Sequence, residues 1–185
     1  TDALEGLENA DATLVCVGTP SMQQGAIDAS HIDRVTRQIA EARRTLVRTI
    51  PVIIRSTALP GVHRDLIALI DRIVGTTQPT AYCIHPEYLR AGQAIDDFMN
   101  PPTIVFGCTD DTAVEACDGL YPGFQTHVVH TDPMTAAFAK YAANGFHALK
   151  ITFANEIGLL CRAMEIDPRE VMDIICQDTV LNIST

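Results

Sequence analysis

No run of this 185-residue chain stays apolar for the roughly 18–20 residues that a membrane-spanning helix requires, and its first residues carry no basic region leading into an apolar stretch. Clustered positive charge is also missing. Thirteen Lys and Arg stand scattered against 23 Asp and Glu, for a formal net charge of -10, a balance that argues against nucleic acid and anionic membrane surfaces as partners. The six cysteines, at 16, 83, 108, 117, 161 and 176, include no CxxC pair. Several lie inside apolar runs, where a thiol behaves as a small hydrophobe, so buried reduced thiols and no metal site are expected, with a nucleophilic role for one cysteine as the alternative. A soluble, cytoplasmic chain is the expectation. What is present is core material: 47% of the residues are hydrophobic, enough for one large domain or for one domain plus part of another.

The first two thirds alternate short β-rich runs with helical ones. Strands are predicted at Thr13–Val17, Val52–Ile54, Tyr82–Ile84, Ile104–Phe106 and His127–Val129, and helices at 31–48, 62–74 and about 111–119. This alternation predicts an α/β fold with parallel pairing, a doubly wound sheet covered on both faces. After about residue 131 the style changes. Asp132-Pro133 is a helix start, and no proline interrupts the chain until Pro168, so one helix of about 30 residues is predicted, followed by a second capped by Asp167. A domain boundary is placed at about 130.

In doubly wound sheets, ligands bind at the carboxyl ends of the strands. Gly18, Thr19 and Pro20 end one predicted strand and Ser56 and Thr57 end another, which puts two hydroxyl-bearing turns on one edge; taken singly, each could equally be a helix cap. Glu87 and Arg90 follow the strand at 82–84 near the same edge, where a carboxylate could act as a base, although a Glu-Arg pair at a turn is commonly structural. On the long helix, Lys140, Asn144 and His147 stand at i, i+4 and i+7 and share one stripe, and Asn155 returns to within about 60° of Lys140. A solvated face would favour Glu and Lys over Asn and His.

Taken together, "ADATLVCVGTP" (10–20), "RSTALPG" (55–61), "HPEYLRAGQAIDD" (85–97), "KYAANGFHALKITFANEIG" (140–158) and "VMDIICQDTVLN" (171–182) resemble the nucleotide-sugar 6-dehydrogenases, in the family's order and over nearly the whole chain. The "ALKITFANEIG" and "ICQD" stretches look closer to the GDP-mannose branch than to the UDP-glucose branch. The resemblance implies the C-terminal half of a Rossmann-like NAD-binding domain over 1–130, and the start of an all-helical substrate and dimerisation domain over 131–185. The implied reaction is a two-stage oxidation of a sugar C6 alcohol to a carboxylate, reducing two NAD and passing through a cysteine thioester. By resemblance, Gly18, Thr19, Pro20, Ser56 and Thr57 match cofactor-contacting positions. Thr57 also matches a hydroxyl that helps position water, and Glu87 a carboxylate that assists thioester hydrolysis. Lys140 and Asn144 match the pair that stabilises the developing oxyanion, and Tyr88, Leu89, Arg90, His147 and Asn155 match substrate-binding positions. A homodimer through the helix at 131–164 is implied as well.

The departures are specific. No GxGxxG fingerprint occurs in the sequence, and none of the six cysteines has the glycine-rich context of the family's nucleophile. Ala91 stands where relatives carry a second glutamate, and Ala137 where they often carry an acidic residue. The chain therefore reads as an internal piece of such an enzyme, expected to bind NAD weakly and to be inactive alone. The alternatives are a non-catalytic binding or assembly module, and an NAD enzyme of the 6-phosphogluconate dehydrogenase type.

Overall fold

The computed structural model describes residues 3–46, 48–75 and 80–178. In chain order the elements are α1 (Ala3–Leu7), β1 (Thr13–Val15), α2 (Ser30–Arg43), β2 (Val52–Ile54), α3 (Pro60–Val74), β3 (Tyr82–Ile84), α4 (Ala94–Met99), β4 (Thr103–Cys108), α5 (Asp111–Asp118), β5 (His127–Thr131), α6 (Pro133–Ala163) and α7 (Pro168–Gln177). The chain forms two compact units, Thr1–Tyr141 and Ala142–Thr185.

In the first unit the five strands form one sheet in the order β1-β2-β3-β4-β5. β1, β2 and β3 run parallel, with Val15 opposite Ile54 and Ile54 opposite Ile84, so their loops at 16–19, 55–57 and 85–88 leave from one edge. The parallel expectation fails at the next step: β4 is antiparallel to β3, with Cys83 opposite Cys108 and Ile84 opposite Gly107. The cause lies in the connection. Between β3 and β4 there is only the six-residue α4, flanked by Pro86 and by Pro101-Pro102, and no helix carries the chain back across the sheet. β4 therefore starts at the edge where β3 ends. β5 then pairs parallel to β4 through α5, as the alternating pattern predicts.

Both faces are covered. On one face Val15, Val52, Ile54, Tyr82 and Ile84 pack with α1, α2, α3 and the buried Ala136 and Ala137 of α6. On the other, Ile53, Cys83, Ile104 and Phe106 pack with Ala113 and Cys117 of α5. A β-carbon on Gly107 would lie 2.5 Å from the Ala136 Cβ and 2.9 Å from the Pro133 Cα, so only glycine lets the first turn of α6 rest on β4.

Local chemistry sets the helix limits. Pro60 opens α3, and Gly75, left-handed at φ 67°, closes it. α2 stops at Arg43, five residues short of expectation; the Thr45 hydroxyl donates to the Ala42 carbonyl at 2.9 Å, competing with the next helical turn. At the start of α6 the Asp132 carboxylate accepts the Thr135 amide at 3.0 Å, and Asp167 caps α7 through the Arg169 amide at 2.9 Å. α6 ends on Glu165 at φ 57°, where the Ile166 amide returns to the Cys161 carbonyl at 2.9 Å, a Schellman closure without glycine. The short α1 and α4 lack enough periodic positions to be seen in sequence.

Candidate active site

The common edge of β1, β2 and β3 is organised by Ser56. Its hydroxyl accepts the Val17 amide at 2.8 Å and donates to the Val17 carbonyl at 2.7 Å, tying the loop after β2 to the loop after β1. The role seen for Ser56 is thus to hold the two turns in register. That anchoring holds Ser56 in the wall of the hollow described next.

The two loops and Glu87 enclose a cavity of about 300 Å³ lined by Gly18, Thr19, Arg55, Ser56, Thr57 and Glu87, together with Cys16 and Val17. A β-carbon on Gly18 would meet nothing within 4 Å, so that wall is open. Pro20 lies outside the lining and is exposed; its carbonyl accepts the Asp28 amide at 2.9 Å, closing the loop that leads to α2.

Glu87 is the meeting point. One carboxylate oxygen accepts the Leu89 amide at 2.7 Å, and the other lies 3.2 Å from the Lys140 ammonium. Lys140 is 7% exposed and sits 5.1 Å from the centre of the Tyr88 ring. A cation this dry needs a counter-charge and an electron-rich face, and Glu87 and Tyr88 supply them. Burial and the Glu87 charge push the Tyr88 hydroxyl pKa up, so it stays a neutral donor. Tyr88 and Leu89 line a second hollow that shares Arg55 and Glu87 with the first. Arg90 is exposed and forked onto Asp97, with Nη2 at 2.6 Å and Nε at 3.2 Å from one carboxylate oxygen. Asn144, His147 and Asn155 follow on α6 in the second unit, and each is exposed.

Three further residues, not singled out by the sequence motifs, shape the site. Arg55 reaches both the His85 Nε2 and the Tyr121 hydroxyl, the latter at 3.3 Å. The Tyr121 hydroxyl lies 2.7 Å from His85 Nε2, and His85 Nδ1 lies 3.0 Å from the Val105 carbonyl. Burial, reinforced by the Arg55 charge, holds the His85 pKa down at about 4. A neutral ring donating from Nδ1 leaves Nε2 to accept from Arg55 and Tyr121, which fixes the guanidinium at the cavity wall. Arg55 and His85 do occupy strand-end positions, a signal that could have found them. Tyr121, in the loop after α5, has none.

The two departures from the family pattern differ in setting. Ala91 is exposed, whereas Ala137 is buried among core residues where a carboxylate would be desolvated.

Parallel strand ends with loops enclosing a polar hollow, on a sheet covered by helices on both faces, define a Rossmann-like ligand-binding domain. Residues 1–125 match the NAD binding domain model of the UDP-glucose/GDP-mannose dehydrogenase family, and residues 134–184 match its central domain model. The chain belongs to the UDP-glucose/GDP-mannose dehydrogenase family. It is 36% identical to a GDP-mannose 6-dehydrogenase of Pseudomonas putida over 187 aligned positions, covering 100% of this chain and 43% of the relative. The crystal structure of a ternary complex of GDP-mannose dehydrogenase from Pseudomonas aeruginosa superposes with a TM-score of 0.93 at 37% identity, over 99% of this chain and 43% of that one. A UDP-glucose dehydrogenase from the archaeon Pyrobaculum islandicum gives a TM-score of 0.88 at 33% identity, over 95% of this chain and 41% of that one. The chain thus spans less than half the length of these relatives. Among the described residues, no helix is long and apolar enough to cross a membrane.

Proposed function

We propose that this chain is part of an NAD-dependent nucleotide-sugar 6-dehydrogenase that oxidises a sugar C6 alcohol to a carboxylate in two steps, with GDP-mannose as the first candidate substrate and UDP-glucose the second. Residues 1–130 would form the second half of the cofactor domain, and 131–185 the start of a helical domain through which the enzyme dimerises. The observation that carries this reading is the pairing of the buried Lys140 with Glu87 at 3.2 Å, set beside the strand-end cavity of a chain so similar to GDP-mannose dehydrogenases. Its sequence partners on α6, Asn144, His147 and Asn155, supply the amide and imidazole donors that a sugar hydroxyl array needs.

The residues present fit one part of an NAD site. Thr19 and Thr57 bring hydroxyls to the hollow, and Gly18 leaves one wall open. No GxGxxG turn in this sequence offers its amides to a pyrophosphate. Bound there, NAD would accept the hydride from the sugar carbon. Lys140, fixed by Glu87 and Tyr88, would hold a positive charge ready for an oxygen that becomes negative as its proton leaves, without reorganising solvent to do so. Glu87, partly exposed to the cavity, would position water or accept its proton.

The test is Lys140→Ala in the enzyme. The expected outcome is a loss of about 10²–10³-fold in kcat for GDP-mannose-dependent NAD reduction, the scale of removing one preorganised oxyanion donor, with NAD affinity little changed and thermal unfolding verifying the fold. A folded variant keeping most of its turnover would remove the assignment. Turnover of UDP-glucose in preference to GDP-mannose by the unaltered enzyme would leave the chemistry and overturn the branch.

A further inference from the structure

Away from the strand-end cavity, the antiparallel step in the sheet creates a second cluster. Because β4 runs against β3, Cys108 stands directly opposite Cys83, and side chains of opposed residues leave the same face. α5 then lays Cys117 over that face. The three Sγ atoms lie within 4.8 Å of one another, with Cys108 and Cys117 4.0 Å apart. No pairing by sequence spacing reveals this set, since the positions are 25 and 9 residues apart.

Three thiols around one point differ from three scattered small hydrophobes. Tetrahedral thiolate sites with zinc–sulfur bonds of about 2.3 Å place their sulfurs about 3.8 Å apart, so the cluster needs a contraction of about 1 Å or less. Cys83 and Cys117 are fully buried, while Cys108 is half-buried at the rim. His130 in turn pairs through Nε2 with Asp118 at 3.1 Å, the carboxylate-backed arrangement typical of metal-binding histidines. Cys108 gives the cluster an entrance from solvent, and His130 stands on the neighbouring β5 opposite Phe106. The surrounding shell of Ile53, Ala81, Ile104, Phe106 and Ala113 is apolar and excludes competing water.

We propose that Cys83, Cys108 and Cys117 form a site for a thiophilic d¹⁰ cation, with zinc as the probe, and that His130 stands at its fourth position. Binding breaks three S–H bonds, releases three protons to solvent and forms three metal–sulfur bonds; no electron is transferred, so neither oxidant nor reductant is required. The site lies on the face of the sheet packed by α5 and does not depend on the dehydrogenase reading.

The experiment is zinc titration of the reduced protein, followed by gel filtration and elemental analysis, with cobalt(II) as the optical reporter. The expected result is one zinc retained per chain, thiolate-to-cobalt absorption in the cobalt form, and zinc protection of the half-buried Cys108 thiol from alkylation in the native protein. Cys83→Ser, Cys108→Ser and Cys117→Ser should each weaken binding by more than about 100-fold, beyond the effect of an outer partner, and His130→Ala by at least about 10-fold. A Cys16→Ser/Cys161→Ser/Cys176→Ser variant should bind as the unaltered protein does. The alkylation measurement needs no substituted protein, so a folding defect in a serine variant cannot hide the answer. Absence of retained zinc, a cobalt form without thiolate absorption, or protection confined to other cysteines would overturn the site.

Discussion

The two units handle the same kind of material in opposite ways. In residues 3–141 the sheet offers two faces and helices close both, so Ile53, Val52, Ile54 and Phe106 are at most 2% exposed. In residues 142–178 two helices carry a comparable supply of Phe, Leu and Ile, yet Cys161 is the one buried hydrophobic among the described residues, and Leu159, Leu160 and Ile174 are 53%, 58% and 63% exposed. A helix pair shields one stripe of each partner. Phe146, Leu149 and Phe153 of α6 and Met172 and Ile175 of α7 line an apolar hollow of about 470 Å³, while Leu159 lies well round the helix from that stripe. The lesson is that burial follows the number of covered faces, not the apolar content of a segment.

Acid should break the first unit most severely. His63 and His85 are buried there, and burial holds each pKa down at about 4 against an ordinary 6.5. The unfolded chain therefore takes up protons below about 6.5 while the folded chain does not, so stability falls as pH falls, by about 1.4 kcal/mol per pH unit for each group across that window. The carboxylates with lowered values, Asp28, Asp97 and Asp132, act lower still, because each is lowered from 3.8 and their stabilisation is lost only as pH drops through the folded value. Urea unfolding at a series of pH values from 7 to 4 checks this. A flat profile above pH 4 would mean that neither ring is as dry as its surroundings imply.

Next in size is a cavity in the covered sheet. Ile53→Ala removes side-chain volume from a fully buried position between β1 and β3, and the expected cost is about 2–5 kcal/mol, read as a drop in the urea midpoint without a change in slope. A cost below about 1 kcal/mol would show that this face repacks freely, and the contrast between the units would lose its basis.

How much of this was legible in sequence depends on how local the cause is. The strand at 52–54, the strand at 82–84 and the caps at Asp132 and Asp167 follow from short patterns, and the structure has them where the patterns put them. Thr57 and Glu87 share a cavity because parallel strand ends converge by topology alone, and Lys140 on α6 pairs with Glu87. The antiparallel entry of β4 was not legible, since it turns on what the 85–102 connection fails to do, and with it went the cysteine cluster. Ser56 lies at the edge where the pattern puts it, and its hydroxyl also binds the Val17 backbone, 39 residues away, a contact no local pattern encodes.

The smallest expected effect tests the uncovered side of the comparison. Leu159→Ser replaces a half-exposed side chain on α6 that takes no part in lining the hollow with α7. Within a single chain its removal should move stability by no more than about 0.5 kcal/mol, as for surface positions generally. If the proposed homodimer forms over α6, the same substitution puts a hydroxyl where apolar surface is covered, and sedimentation should register a shift toward monomer that unfolding of the dilute protein does not. A loss of more than about 2 kcal/mol in a monomeric sample would instead place Leu159 under cover within its own chain, and the difference drawn between the two units would have to be redrawn at α6.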